Sequence, residues 1–238
     1  MDTTTHAPPP AAIRPAVIRP LHRNDGLEVA RIFRSTLALG RPLDLDYADL
    51  VEYQRLCLDW YLTAGRAHAR VVEQDGAVVG YLLACLDQDA FDAWVQRRAL
   101  RWAATTAWRA ATLRLTPTAR RFAALRVADG LSAWWGDTGA PFPAHAHVNL
   151  TAEVRDAGIG HRLVGTMDDL VEAAGLEGWF GEVNVPQGTS LAAFARQGAR
   201  VVRRVHSRTF TWALGTPVTR VTVVRTLADR PEPLRTTA

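Results

Sequence analysis

Hydrophobic positions change period repeatedly along the chain, and each change marks an element. Val17-Ile18-Arg19-Pro20-Leu21 reads as a first strand. Leu27, Val29, Ala30, Ile32 and Phe33 then recur at helical spacing behind Asn24 or Asp25, either of which suits a helix cap. A Gly40-Arg41-Pro42 break follows, and Leu50, Tyr53, Leu56, Leu58, Trp60 and Tyr61 define a second helix between Leu45 and Ala64. Residues 67–73 and 77–85 are β-rich runs joined by Gln74-Asp75-Gly76, a strong hairpin signal.

Between 86 and 144 the alternation disappears for roughly 59 residues, too many for a structureless loop in a compact domain. The composition there is helical, punctuated by aromatics from Phe91 to Trp135. Pro117 divides it, with Thr116 or Thr118 as caps, so two or three helices packed beside a sheet are expected. Ala146-His147-Val148-Asn149-Leu150 alternates again as a strand. Leu163, Met167, Leu170, Val171 and Ala174 follow at helical spacing. Gly178 to Val185 reads as a strand, Ser190 to Gln197 as a short helix stopped by Gly198, and Val201–Val205 and Ser207–Leu214 as closing strands. Val218 to Leu227 is a further strand, suited to an edge or to pairing across a homodimer.

Composition narrows the class. At 238 residues with 48% apolar content, the chain suits one domain with a core of ordinary size. The expected layout is an N-terminal disordered tail over 1–12, one domain over 13–228 that includes the 86–144 segment, and a second disordered tail over 229–238. No apolar run approaches the ~18 residues of a membrane span, and the N-terminus lacks the basic and apolar regions of a secretory signal. Cys57 and Cys85 lie in apolar contexts and read as buried free thiols, which suits a cytoplasmic setting, with a disulfide between them left open by the sequence. A net charge of +4, carried entirely by arginine on the basic side, favours an anionic ligand but is too diffuse for nucleic acid. The eight arginines of 86–144 read as a solvated face, with a direct role toward an acidic substrate or partner as the alternative.

The chemistry-bearing motif is Arg155-Asp156-Ala157-Gly158-Ile159-Gly160, followed by His161. It joins the 146–150 strand to the start of a helix. Such a turn points several backbone N–H groups and the positive end of a helix dipole at one place, where a phosphate fits. Glycine there lets the ligand approach the backbone closely. Two glycines could also make nothing more than a tight turn, but the strand before and the helix after favour the phosphate cradle. A P-loop is excluded because the chain has no lysine. A Rossmann turn is disfavoured because Leu163 stands where its third glycine would be.

On these residues the chain resembles the GNAT superfamily of N-acetyltransferases. Arg155, Gly158 and Gly160 match that family's [RQ]-x-x-G-x-[GA] motif. Leu191 to Ala199 is similar to its final helix. His145-Ala146-His147-Val148-Asn149-Leu150 resembles the fourth strand of the branch that includes the acetyltransferase-like domain of some O-GlcNAc hydrolases. The resemblance implies an α/β fold, a mixed twisted central sheet flanked by helices, here with a helical insertion between the third and fourth strands. It implies acetyl-CoA as cofactor and an amine as acceptor. The pyrophosphate would lie over Arg155, Asp156, Ala157, Gly158, Ile159, Gly160 and His161, and the pantetheine arm along Val148, Asn149, Leu150 and Val154. Asn184, Gln187 and Phe194 would complete the cofactor side.

Acetyl transfer needs a base for the amine and donors for the oxyanion. His145, His147 and Asn149 share one strand face by period two. His147 and Glu182 are the candidate bases; a structural histidine is the competing reading for His147. A metal pair at His145 and His147 lacks an evident third ligand. Phe194 stands where the family's tyrosine acid is common, and all four tyrosines precede residue 82. The thiolate would then leave unaided or take its proton from another group. The alternative is a non-catalytic acyl-CoA-binding module that engages a protein partner.

Overall fold

The computed structural model describes residues 15–134, 140–154 and 158–229. The two expected tails lie outside these residues except for Asp229, and so do Arg155, Asp156 and Ala157. Seven strands form one sheet in the order β1-β2-β3-β4-β5-β7-β6. They are β1 (Val17–Pro20), β2 (Arg70–Gln74), β3 (Ala77–Cys85), β4 (His145–Leu150), β5 (Gly178–Pro186), β6 (Ala199–His206) and β7 (Val218–Thr226). Neighbours are antiparallel except β4 and β5, which run parallel, so the sheet is mixed.

Two helical layers cover it. Tyr81, Leu83 and Cys85 of β3 join α1 (Gly26–Thr36) and α2 (Tyr47–Leu62) in one core. Leu82 and Ala84 point the other way, onto Val154 and the Ile159, Leu163, Met167, Val171 stripe of α5 (Ile159–Ala173). That i, i+4 stripe is the helical period read in the sequence. The β2–β3 hairpin turns at Asp75 and Gly76, both with positive φ (51° and 80°), as the Asp-Gly pair predicts.

The segment between β3 and β4 folds as two helices, α3 (Gln88–Ala111) and α4 (Pro117–Trp134). Asp87 caps α3 by accepting from Ala90 N, and Thr116 caps α4 by accepting from Ala119 N. Aromatic contacts dock the pair on α2: Trp60 meets Phe91 and Trp94, and Tyr53 meets Trp102 and Phe122. Its arginines are not simply a solvated face. Arg109 pairs with Asp49 at 2.8 Å, while Arg98, Arg114, Arg121 and Arg126 lie over aromatic rings.

Three expectations are corrected. Ser207–Leu214 is not a strand: Arg208–Leu214 is a helix, α7. Asp129 of α4 decides this. Its carboxylate accepts from Arg208 N (3.1 Å), Thr209 N (3.0 Å) and Thr209 Oγ1 (2.7 Å), capping α7 from another element. The following strand is therefore not surplus: β7 sits inside the sheet between β5 and β6, and β6 forms the edge. Asp25 does not cap α1 through its side chain; it accepts from His22 N and pairs with Arg19.

Both cysteines are free. Among the described residues, no helix is long and apolar enough to cross a membrane.

Candidate active site

The sheet opens where β4 meets β5. The two strands share one register pair, His145 with Phe180, and beyond it they part although both continue. Orientation along β4 follows from the ladders. Thr151 N donates to Val79 O, so odd-numbered β4 residues bond to β3, and Phe180 N donates to Ala144 O on the other side. The same alternation turns the backbone of Ala146, Val148 and Leu150 toward the opening. One side of a parallel pair is thus left as a slot lined by peptide groups.

At the slot's outer end α5 begins. Gly158 has a φ of 71°, which suits glycine, and precedes the first helical turn at Ile159, Gly160 and His161. Among the described residues, nothing lies within 4 Å of a Cβ built at Gly158 or Gly160, so the space over the helix start is open. Among the described residues, Thr151 Oγ1 and Asn184 Oδ1 are buried without a hydrogen-bond partner. Orphaned polar atoms beside a peptide-lined slot suit the amides of a pantetheine arm, and the helix start suits its phosphates. The donor set therefore fits a CoA thioester.

Side-chain polarity divides the expected site residues between the two faces. Tyr81 faces Asn149, Leu83 faces His147 and Cys85 faces His145 in register, so His145, His147 and Asn149 lie on the α1–α2 face. Phe180 touches His145 there, so Glu182 and Asn184 share that face by alternation. Val148 and Leu150 face α5. Val154 is fully buried in the α5 core, which leaves only its backbone for a ligand. Ile159 is likewise buried, while His161 is exposed. Gln187 is exposed just beyond β5, and Phe194 is half-buried on α6 (Ala192–Arg196).

The two histidines differ. Gln88 donates Nε2 to Asp92 (2.8 Å), which turns its Oε1 toward His145 Nδ1 at 2.6 Å. His145 Nδ1 therefore carries the proton, and Nε2 accepts from the Tyr61 hydroxyl at 2.5 Å. Both nitrogens are occupied, and burial with the neighbouring His147 pushes the pKa down to about 3. His145 is structural. Among the described residues, the one polar contact of His147 is with Asn149 Nδ2 at 3.5 Å. Phe33, Tyr61 and Tyr81 set their rings edge-on around it, and burial lowers its pKa to about 4, although its side chain keeps some exposure. Glu182 is solvent-accessible and lies 3.6 Å from Arg220.

Tyr61, Tyr81, Gln88 and Arg126 also belong to this face, and the sequence reading did not place them there. Asn149 Nδ2 donates to the Tyr81 hydroxyl at 2.6 Å, so the phenol keeps its own proton to donate elsewhere. The only signal was their parity on strand and helix, and the long 86–144 segment hid which strand pairs with β3. Among the described residues, no cluster of three or more His, Cys, Asp or Glu could hold a metal ion.

No protein-family model and no characterised protein sequence matches the chain. Solved structures do match. SsHAT superposes with a TM-score of 0.62 at 23% identity, covering 89% of this chain and 98% of that one. The polyamine N-acetyltransferase of Drosophila melanogaster gives 0.53 at 13% identity, covering 90% and 100%. The chain has the GNAT fold. Another protein of this fold, yncA from Salmonella typhimurium, solved with its cofactor acetyl-CoA, gives 0.51 at 12% identity, covering 94% and 98%. At these identities the likeness establishes the fold alone.

Proposed function

We propose that the protein is an acetyl-CoA-dependent N-acetyltransferase. The observation that carries this reading is the single register pair between β4 and β5. It opens a peptide-lined slot that leads from the start of α5 to the His147–Glu182 face. The acetyl-CoA in the yncA structure supports the choice of ligand. Affinity to the branch that includes O-GlcNAc hydrolase domains is proposed on the β4 sequence alone, and a cytoplasmic setting on the two free thiols.

Acetyl-CoA supplies a thioester carbonyl carbon. The amine lone pair attacks that carbon, the C–S bond breaks, and the amine gives up one proton. Peptide N–H groups of β4 that point into the slot stabilise the oxyanion. Glu182, which solvent reaches, takes the amine proton directly or through water. His147, held neutral by its surroundings, presents a lone pair to the same amine. Burial keeps the Tyr81 phenol well above its ordinary pKa, so it stays protonated and holds Asn149 on the same strand face. The thiolate leaves unaided, as its modest basicity permits, and a tyrosine at position 194 is then dispensable.

The test is thiol release from acetyl-CoA with a panel of amines. Glu182→Gln and His147→Ala should each lower kcat with little change in CoA affinity. Wild-type rates in both would remove the base assignment. Phe194 favours one second reading, a CoA-binding module without turnover that engages a protein partner. CoA binding with no responsive amine would establish it.

A further inference from the structure

Arg126 of α4 holds its guanidinium 5.2 Å from the Tyr53 ring centre, on the His147 face of the sheet. Its Nε is buried and has no hydrogen-bond partner. Three other arginines of restricted exposure have a carboxylate close by: Arg19 has Asp25 and Glu73, Arg109 has Asp49, and Arg225 has Asp168. Arg126 forms no ion pair among the described residues. The groups that act on it electrostatically are Tyr53, Cys57, Asp129 and Glu182. Burial keeps Tyr53 and Cys57 protonated. Asp129 is committed to the start of α7. Glu182 already lies 3.6 Å from Arg220, whose side chain is only 15% exposed. Two arginines thus share one carboxylate, and Tyr53 senses both of them. These charges hold the Arg126 pKa above its ordinary value despite burial, yet among the described residues no carboxylate bonds to it, so its buried Nε–H is left for an anion to satisfy.

The place fits an acceptor rather than the cofactor's phosphates, which would sit across the sheet at α5. From Arg126, Tyr53 leads to Phe33 (6.4 Å between rings) and Phe33 to His147 (6.2 Å). We propose that Arg126, with Arg220 beside it, binds an oxyanion on the acceptor, so that the accepted amines carry a carboxylate or a chemically similar group. The planar fork of a guanidinium matches two oxygens of such a group. This inference rests on the N-acetyltransferase reading for its chemistry but not for its binding test.

The experiment uses the full chain and amino acids of varied amine-to-acid spacing, each with its carboxamide and its aminophosphonate. Calorimetry without acetyl-CoA reads binding, and thiol release with acetyl-CoA reads turnover. The acids should bind, and should exceed their carboxamides at least tenfold in kcat/KM. Arg126→Met should bring that ratio near one while CoA affinity holds. Arg126→Lys should keep part of the preference if the larger change impairs folding. The aminophosphonates separate a general oxyanion site from one shaped for carboxylate. Acids that bind but are not acetylated would count against the transferase reading and leave the anion site standing. Equal binding of acids and carboxamides, or an Arg126→Met protein that folds and retains the preference, would overturn the proposal.

Discussion

Acidification should unfold this protein through two histidines. His145 and His147 have folded-state pKa values of about 3 and about 4, both below the ordinary 6.5 because burial disfavours the cation. The unfolded chain protonates both as the pH falls through 6.5, while the folded chain does not. Their contribution is therefore complete above pH 6.5 and is lost on descent toward pH 4. At pH 4.5 each costs about 2.7 kcal/mol, two pH units at about 1.36 kcal/mol each. Together they cost about 5 kcal/mol, comparable with the lower end of a domain's whole stability. Carboxylates titrate in the same range, so the informative quantity is a difference. Urea melts between pH 6 and 4.5 should show that His147→Gln reduces the slope of stability against pH by roughly 1 kcal/mol per unit, with little difference above pH 7. The substitution shifts the curve by a constant as well, which the slope ignores. Parallel curves for the two proteins would refute the claim that His147 is neutral in the fold.

Asp129→Ala removes three hydrogen bonds from the start of α7 and should lower stability by roughly 1–3 kcal/mol, read by chemical denaturation. Asp168→Ala strips the buried Arg225 and the Trp179 indole of their partner and should cost about 3–5 kcal/mol; an unchanged melting temperature would contradict that account. Gly160→Val meets open space within the fold, so it should leave thermal stability near wild type while abolishing CoA binding measured by calorimetry. Phe194→Tyr should leave turnover similar or higher, since the proposed proton-handling residues His147 and Glu182 lie on β4 and β5 rather than on α6.

Local pattern was sufficient for most elements. The Asp75-Gly76 hairpin, the α5 stripe and the Gly158–Gly160 turn each depend on residues close in the chain, so period and turn chemistry reveal them. His145, His147 and Asn149 on one face follow from the strand period alone. The motif residues Arg155, Asp156 and Ala157 remain sequence expectations, because they lie outside the described residues.

What sequence could not supply were relations between distant segments. Ser207–Leu214 carries strand-forming residues, yet a carboxylate about 80 positions earlier makes it a helix, and that choice moves β7 from the edge into the sheet. Histidine chemistry was decided the same way. By itself the sequence specified residue types, periods and a glycine turn ahead of α5. Only tertiary packing gave His145 two partners, left His147 among aromatic rings, and left Arg126 enclosed without an ion pair among the described residues, because burial and charge pairing belong to neighbours in space.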